Sequence, residues 1–224
     1  MSVWPIHTET TVQTPRKPYT TIVEETEFEI EPIKNSRFIA HASPASSDAD
    51  AMSFVERIRQ HYPDARHHCW AYQLREPERV RFSDDGEPGG SAGKPMLSPL
   101  QGREIFDIVV VVVRYFGGTK LGVGGLMRAY GGAVAQLLDR AELKTVTPTL
   151  PLWLSYDYAD TAAVEAALAS LQLVPADTRY GEAVDVCLQV PDAEVLALYR
   201  TLQTQAGGRI RLTLPDALSS EADL

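Results

Sequence analysis

Polar and apolar residues alternate from Glu27 to Glu31, with Phe28 and Ile30 between the acids, and this period of two predicts a half-buried strand. Arg37 to Ala42 carries a second such strand, and Lys34-Asn35 between them suits the turn of a hairpin. The period then changes. Ser47 or Asp48 is placed to cap a helix running to about His61, with Met52, Val55 and Ile58 on one face and Pro63 closing the segment. This helix is expected to lie on the sheet. His68 to Leu74 reads as a further strand, and Ile108 to Tyr115 as a central one, because five consecutive valines leave no polar face for solvent and their β-branched side chains disfavour helix. Gly117 to Gly125 is a glycine loop, and Leu126, Ala129, Ala133 and Leu137 share one face of a helix ending at Leu138. Lys144 to Pro151, with two prolines and no helical period, reads as a last strand leading into a domain boundary.

Beyond it the pattern is strand Leu152 to Tyr158, helix Thr161 to Leu171, strand to Tyr180, strand Ala183 to Val190, helix Asp192 to Gln205 and strand Arg209 to Leu214. That is βαββαβ, the ferredoxin-like order. Asp160 and Asp192 stand where N-caps belong, and Gly207 and Gly208 where the second helix must stop. The expected class is α+β, divided into an arm over 1–20, a first domain over 21–148, a ferredoxin-like domain over 149–216 and a tail over 217–224. Residues 1–20 have no period and read as an arm that is flexible or laid over the surface.

Composition changes this picture little, but charge narrows the partners. The 224 residues carry a formal net charge of -9, so a protein that coats nucleic acid wholesale is excluded and any phosphate contact must be local. Residues 149–224 hold 4 basic and 11 acidic groups, against 17 and 19 before them. The acidic second domain is therefore a poor reader of RNA and a better dock for a protein partner. Two distant cysteines, Cys69 and Cys187, no signal-peptide pattern and no apolar run longer than Ile108 to Val113 predict a cytoplasmic chain with free thiols and no membrane span.

The candidate chemistry lies between 82 and 130. Phe82 to Pro95 packs three carboxylates, four glycines, two prolines and a lysine into fourteen residues. Its glycines allow backbone N–H groups to approach an anion, and Lys94 adds a charge. It is no ATP-binding phosphate loop, because the first glycine of that motif falls on Pro88 and the hydroxyl residue after Lys94 is Pro95. The second loop follows a strand and opens a helix, where free N–H groups and the helix dipole favour an anion, with Arg114, Lys120 and Arg128 around it. The dinucleotide fingerprint fails there, its third glycine falling on Met127. His67, His68 and Cys69 with Asp84, Asp85 and Glu87 include metal-ligand types, but neighbouring strand residues point to opposite faces and no metal is assigned. Ser83 or Cys69 with His68 forms a drawable nucleophile-base pair in no recognised catalytic context. Trp70, Tyr72, Tyr115, Phe116 and Tyr130 are either base-stacking or core aromatics.

These motifs, Ser83-Asp84-Asp85-Gly86-Glu87-Pro88 through Gly93-Lys94-Pro95, Arg114-Tyr115-Phe116-Gly117-Gly118, Lys120-Leu121-Gly122 and Gly124 to Tyr130, resemble the IMPACT family in its bacterial YigZ-like branch. The likeness extends to Asn35 to Ala40, to His68 to Tyr72 and into the second domain, over roughly residues 20 to 214. Ser91 departs from the family's usual Thr, and the family histidine aligns with either His67 or His68. The resemblance implies a first domain of ribosomal protein S5 domain 2-like fold, with helices on one face of a sheet, and a ferredoxin-like second domain. Eukaryotic relatives act in translational control by interfering with activation of the general-control kinase. Bacterial members look like nucleic-acid or ribosome binders, and a proline-dipeptidase label carried by some has no matching sequence chemistry here.

The expectation is a non-catalytic, translation-related regulator that binds the ribosome, RNA or a translation-associated protein. Lys94, Arg114, Lys120 and Arg128 would meet phosphate, beside the backbone of Gly89, Gly90, Ser91, Gly93, Gly117, Gly118, Gly122, Gly124 and Gly125. The alternative is a hydrolase in which His68, Asp84, Asp85 and Glu87 act as base or metal ligands. No cofactor, no sequence-specific DNA reading and no oligomeric state is assigned.

Overall fold

The computed structural model describes residues 16–206 and 209–213. In chain order the elements are β1 (Tyr19–Ile22), β2 (Thr26–Glu29), β3 (Arg37–Pro44), α1 (Asp48–His61), β4 (His67–Leu74), β5 (Arg79–Ser83), α2 (Gly93–Gly102), β6 (Ile108–Tyr115), α3 (Val123–Leu138), β7 (Leu143–Val146), β8 (Thr149–Tyr156), α4 (Thr161–Ser170), β9 (Pro175–Tyr180), β10 (Val184–Pro191), α5 (Val195–Ala206) and β11 (Arg211–Thr213). They fall into two compact units, Tyr19–Val146 and a second to which the described residues before Tyr19 and from Thr147 onward belong.

The first unit holds a five-stranded antiparallel sheet in the order β2-β3-β6-β4-β5. The valines of β6 are buried on both sides, and their alternation divides the core in two. Val110 and Val112 pack with Phe38, Met96, Leu126 and Tyr130 beneath α2 and α3. Val109, Val111 and Val113 pack with Phe54, Ile58, Trp70 and Tyr72 beneath α1. The expectation of helices on one face is thereby corrected, because an all-valine strand needs apolar cover on both. The Ser47 hydroxyl caps α1 by accepting from the Asp50 N–H at 3.1 Å.

Three elements escape the sequence pattern. β1 pairs antiparallel with β7, from Tyr19↔Val146 to Ile22↔Leu143. Tyr19 and Thr20 are thus strand residues and not part of an arm, while 1–15 lie outside the described residues. The segment expected as one strand over Lys144 to Pro151 is split, its first half belonging to β7 and its second to β8. α2 forms despite Pro95 and Pro99, burying Met96, Leu97 and Leu100. β5 is an exposed edge strand against β4.

The second unit follows the βαββαβ order, and its sheet runs β11-β8-β10-β9, all antiparallel. Leu152, Leu154, Val186 and Leu188 form its core with Val164, Leu168, Leu198 and Leu202. Asp160 and Asp192 are not side-chain caps. Asp160 accepts from Arg209 at 2.5 and 3.1 Å, and Asp192 accepts from Arg16 Nε at 2.6 Å, so each carboxylate satisfies an arginine instead of a helix end. Gly207, Gly208 and the 217–224 tail lie outside the described residues. No helix among the described residues is long and apolar enough to cross a membrane.

Candidate functional site

The loop that follows β5 is organised by its own carboxylate. Asp84 Oδ1 accepts from the Ala92 and Gly93 N–H groups at 2.9 and 2.8 Å, and Oδ2 accepts from Gly90 at 2.7 Å. Burial pushes the Asp84 carboxyl up, but the three backbone donors outweigh it and the net shift is downward. The N–H groups of Gly90 and Gly93 are thus committed to Asp84, and Ser91 is fully buried. Lys94, in the first turn of α2, stays exposed. Gly89 is an open position, where an added Cβ would meet nothing within 4 Å.

Directly beneath this loop lies a buried ion pair. Arg114 Nη1 donates to Glu87 Oε1 at 2.6 Å, their side chains 5% and 4% exposed, and the Tyr130 hydroxyl donates to the same oxygen at 2.8 Å. Arg114 Nη2 also reaches the Ser36 hydroxyl at 3.4 Å. An arginine this buried holds the loop down from inside; it does not present its charge to a phosphate outside. Burial raises the Tyr130 phenol and the Cys69 thiol well above their ordinary ranges, and Cys69 donates to the Asp84 carbonyl at 3.0 Å. A thiol so placed is an internal hydrogen-bond donor and a poor nucleophile.

The two histidines part company across β4, as strand alternation requires. His67 shares the α3 side with Cys69. Its Nδ1 stands 2.9 Å from the Asp85 carbonyl and its Nε2 4.0 Å from Glu87 Oε1. His68 lies on the α1 side with Trp70, its Nε2 2.9 Å from the Tyr62 carbonyl and its backbone N–H donating to Asp85 Oδ2 at 2.7 Å. Asp85 Oδ1 accepts from Arg59 at 2.9 Å. His68, Asp84, Asp85 and Glu87 therefore do not converge as a group: His68 Nδ1 stands 3.8 Å from Asp85 Oδ2, but Glu87 faces His67 and Asp84 is filled by backbone. Among the described residues, no three His, Cys, Asp or Glu side chains are grouped to hold a metal ion.

The second loop is different in kind. A Cβ on Gly117 would stand 2.0 Å from the Asn35 carbonyl carbon, so only glycine lets the chain pass there, and the Gly117 N–H donates to Ser36 Oγ at 3.1 Å. Gly122, at φ 75°, begins α3 without a side-chain cap, and the first turn holds no acid. Arg128 folds back toward this turn, its Nη1 3.7 Å from where a Gly124 Cβ would be. Gly118, Lys120, Gly122, Gly124 and Arg128 are exposed and Gly125 is half-buried. Lys94, Lys120 and Arg128 carry no ion pair among the described residues, whereas Arg37, Arg57, Arg59, Arg79, Arg103 and Arg114 each hold a carboxylate.

Residues 34–138 match the model of the Impact N-terminal domain. A 187-residue stretch is 38% identical to an IMPACT family member of Haemophilus influenzae, covering 82% of this chain and 91% of that protein. The chain belongs to the IMPACT family. It is 39% identical to IMPACT family member YigZ of Escherichia coli over 186 residues, 82% of this chain and 91% of the relative. Residues 154–209 match a domain of unknown function, DUF1949. A crystal structure titled as that of a hypothetical protein shares the fold with a TM-score of 0.64 and 35% identity, over 89% of this chain and 98% of the other.

Sequence pattern alone does not single out two members of the buried cluster. Tyr130 reads there only as a core or stacking aromatic, because its hydroxyl bond to Glu87 spans 43 residues. His67 stands level with His68 in the sequence, although the strand alternation that separates them is legible there.

Proposed function

We propose that this IMPACT family member is a non-catalytic, translation-related binding protein that holds the phosphate backbone of RNA, free or in the ribosome, at the N-terminal end of α3. The carrying observation is a pair of exposed cations that form no ion pair among the described residues, Lys120 and Arg128, at a helix start that has no capping side chain and no acid in its first turn. Arg128 lying over Gly124 adds a guanidinium to the same turn, where a phosphate oxygen would also meet helix N–H groups. Lys94 contributes further positive charge from α2. The role of Arg114 becomes support of the loop from within, and the backbone of Gly90 and Gly93 serves Asp84. The hydrolase reading draws less support, since His68 and Glu87 lie on opposite faces of β4 and Asp84 already accepts three N–H groups.

We read the first unit as S5 domain 2-like in its sheet with α2 and α3 on one face, to which α1 is added on the other, and the second as ferredoxin-like, which its β11-β8-β10-β9 sheet order supports. The acidic second unit is assigned to protein contacts in this reading, since it would repel phosphate.

The test is fluorescence anisotropy of a labelled single-stranded RNA of about 12 nucleotides. Contact with two phosphates predicts an affinity loss of about sevenfold between about 50 and 200 mM salt. Lys120→Ala with Arg128→Ala should flatten that dependence. No salt-dependent association with this RNA or with purified ribosomes would sink the proposal.

A further inference from the structure

Five aromatic residues stand near the arginines of this region, and the fold sorts them. Tyr72 and Tyr130 are fully buried and Trp70 is 8% exposed, so these three serve the core. Tyr115 is half-buried and donates its hydroxyl to Asp64 at 2.8 Å, with Arg37 Cζ 5.3 Å from its ring centroid. Phe116 alone of the five is open, at 48% exposed. It opens the loop that carries Lys120 and leads into α3.

The ring is braced as well as open. Arg114 Cζ stands 5.6 Å from the Phe116 centroid and 5.5 Å from that of Phe38, so the guanidinium lies between a surface ring and a core ring. Glu87 and Ser36 hold that guanidinium in place. The backbone on the other side of Phe116 is pinned where Gly117 passes against Asn35 and bonds Ser36 Oγ. An exposed phenylalanine on a mobile loop would collapse onto any apolar neighbour. Here the chain is fixed on one side and the guanidinium on the other, and about half of the ring remains in water. A partner stacking on it loses little ordering entropy, because the protein has already lost it.

We propose that Phe116 is a stacking platform for an unpaired nucleobase, so that this site takes single-stranded RNA in preference to duplex. The inference rests on the phosphate reading of the α3 N-terminus and adds the class of nucleic acid. In an A-form duplex the base faces are covered by their neighbours, and a protein meets only phosphates, 2′-hydroxyls and base edges. A single strand offers phosphate and a free base face together. That matches a loop that begins at an open, braced aromatic ring and carries Lys120 to the start of α3, where Arg128 folds back over Gly124. Because every base has a stacking face, stacking on Phe116 carries no base identity, and the preference is for unpaired RNA and not for a sequence.

The experiment measures the full chain by anisotropy against the same labelled single strand and against a blunt RNA duplex of equal length. Phe116→Ala is expected to weaken single-strand binding by roughly 5- to 100-fold while leaving duplex binding within about twofold. Phe116→Tyr should retain the single-strand affinity. Phe116→Trp places a reporter in the stack, and its emission should be quenched by the single strand and not by the duplex. If Phe116→Ala leaves single-strand binding unchanged while Lys120→Ala with Arg128→Ala abolishes it, the stacking inference is wrong and the phosphate reading stands. An equal loss for both RNAs also refutes stacking. Salt-independent or absent binding of both RNAs removes the phosphate reading with it and leaves the patch to a protein partner.

Discussion

Removing one partner of the Glu87–Arg114 pair should be among the most damaging single changes in the first unit. Both side chains are at most 5% exposed, and Glu87 Oε1 also accepts from the fully buried Tyr130 hydroxyl. Glu87→Met strands a buried guanidinium, at about 3 to 5 kcal/mol. It also leaves the Tyr130 hydroxyl without its acceptor, which adds about 1 kcal/mol. Arg114→Met leaves the carboxylate with only Tyr130 and should cost about 3 kcal/mol. With both positions apolar neither charge is stranded, so the double variant should fall short of the summed single losses by at least about 2 kcal/mol. Glu87→Gln keeps the shape and one acceptor, and a loss of about 2 to 3 kcal/mol is expected from the missing charge. Urea unfolding followed by far-ultraviolet circular dichroism at neutral pH measures all four. Additivity of the two methionine changes within about 0.5 kcal/mol would refute the argument, because it would mean the pair is not coupled in a dry environment.

The Asp84 carboxyl is lowered on folding, so its stabilisation is present above its unfolded value near 3.9 and is lost as pH falls through the folded value. The stability gap between wild type and Asp84→Asn should thus be widest at neutral pH and shrink as acid is added, with faster amide exchange at Gly90, Ala92 and Gly93 in the variant; a gap constant down to about pH 3 would contradict this. His41, 5% exposed, is lowered from 6.5 to about 4, mainly by burial and then by the charge of His61. The unfolded chain binds this proton first, so stability is full above about pH 6.5 and falls toward pH 4 by up to about 3 kcal/mol. His41→Gln should lose that part of the slope, and urea midpoints at pH 7 and pH 4.5 decide it. Gly117→Ala, whose Cβ would meet Asn35 backbone at 2.0 Å, should destabilise the first unit by more than about 3 kcal/mol, whereas Gly124→Ala, with its nearest neighbour at 3.7 Å, should be neutral or raise thermal stability by up to about 1 kcal/mol.

Local pattern determined a good part of this protein. The all-valine run predicted β6 at its observed ends, Ser47 or Asp48 marked the start of α1, where Ser47 proved to be the cap, and strands alternating with two short helices predicted the second unit's element order. Each depends on residues within a few positions of one another, where a side chain's period or its reach to a backbone N–H is readable from spacing. The glycine and acid motifs were likewise sufficient to point to the IMPACT family. Contacts across long stretches of chain were not readable. β1 finds its partner more than 100 residues away, in β7, and α2 survives two prolines because α3 and β4 cover its apolar face. The same holds at the site. Arg114, Lys120 and Arg128 are equivalent as letters beside a glycine loop. The fold buries the first against Glu87, 27 residues earlier, and leaves the other two in water. Asp84, one acid among three in its loop, became the anion that its own glycines receive. A charge's role depends on whether an opposite charge or water reaches it first, and only the tertiary structure decides which does.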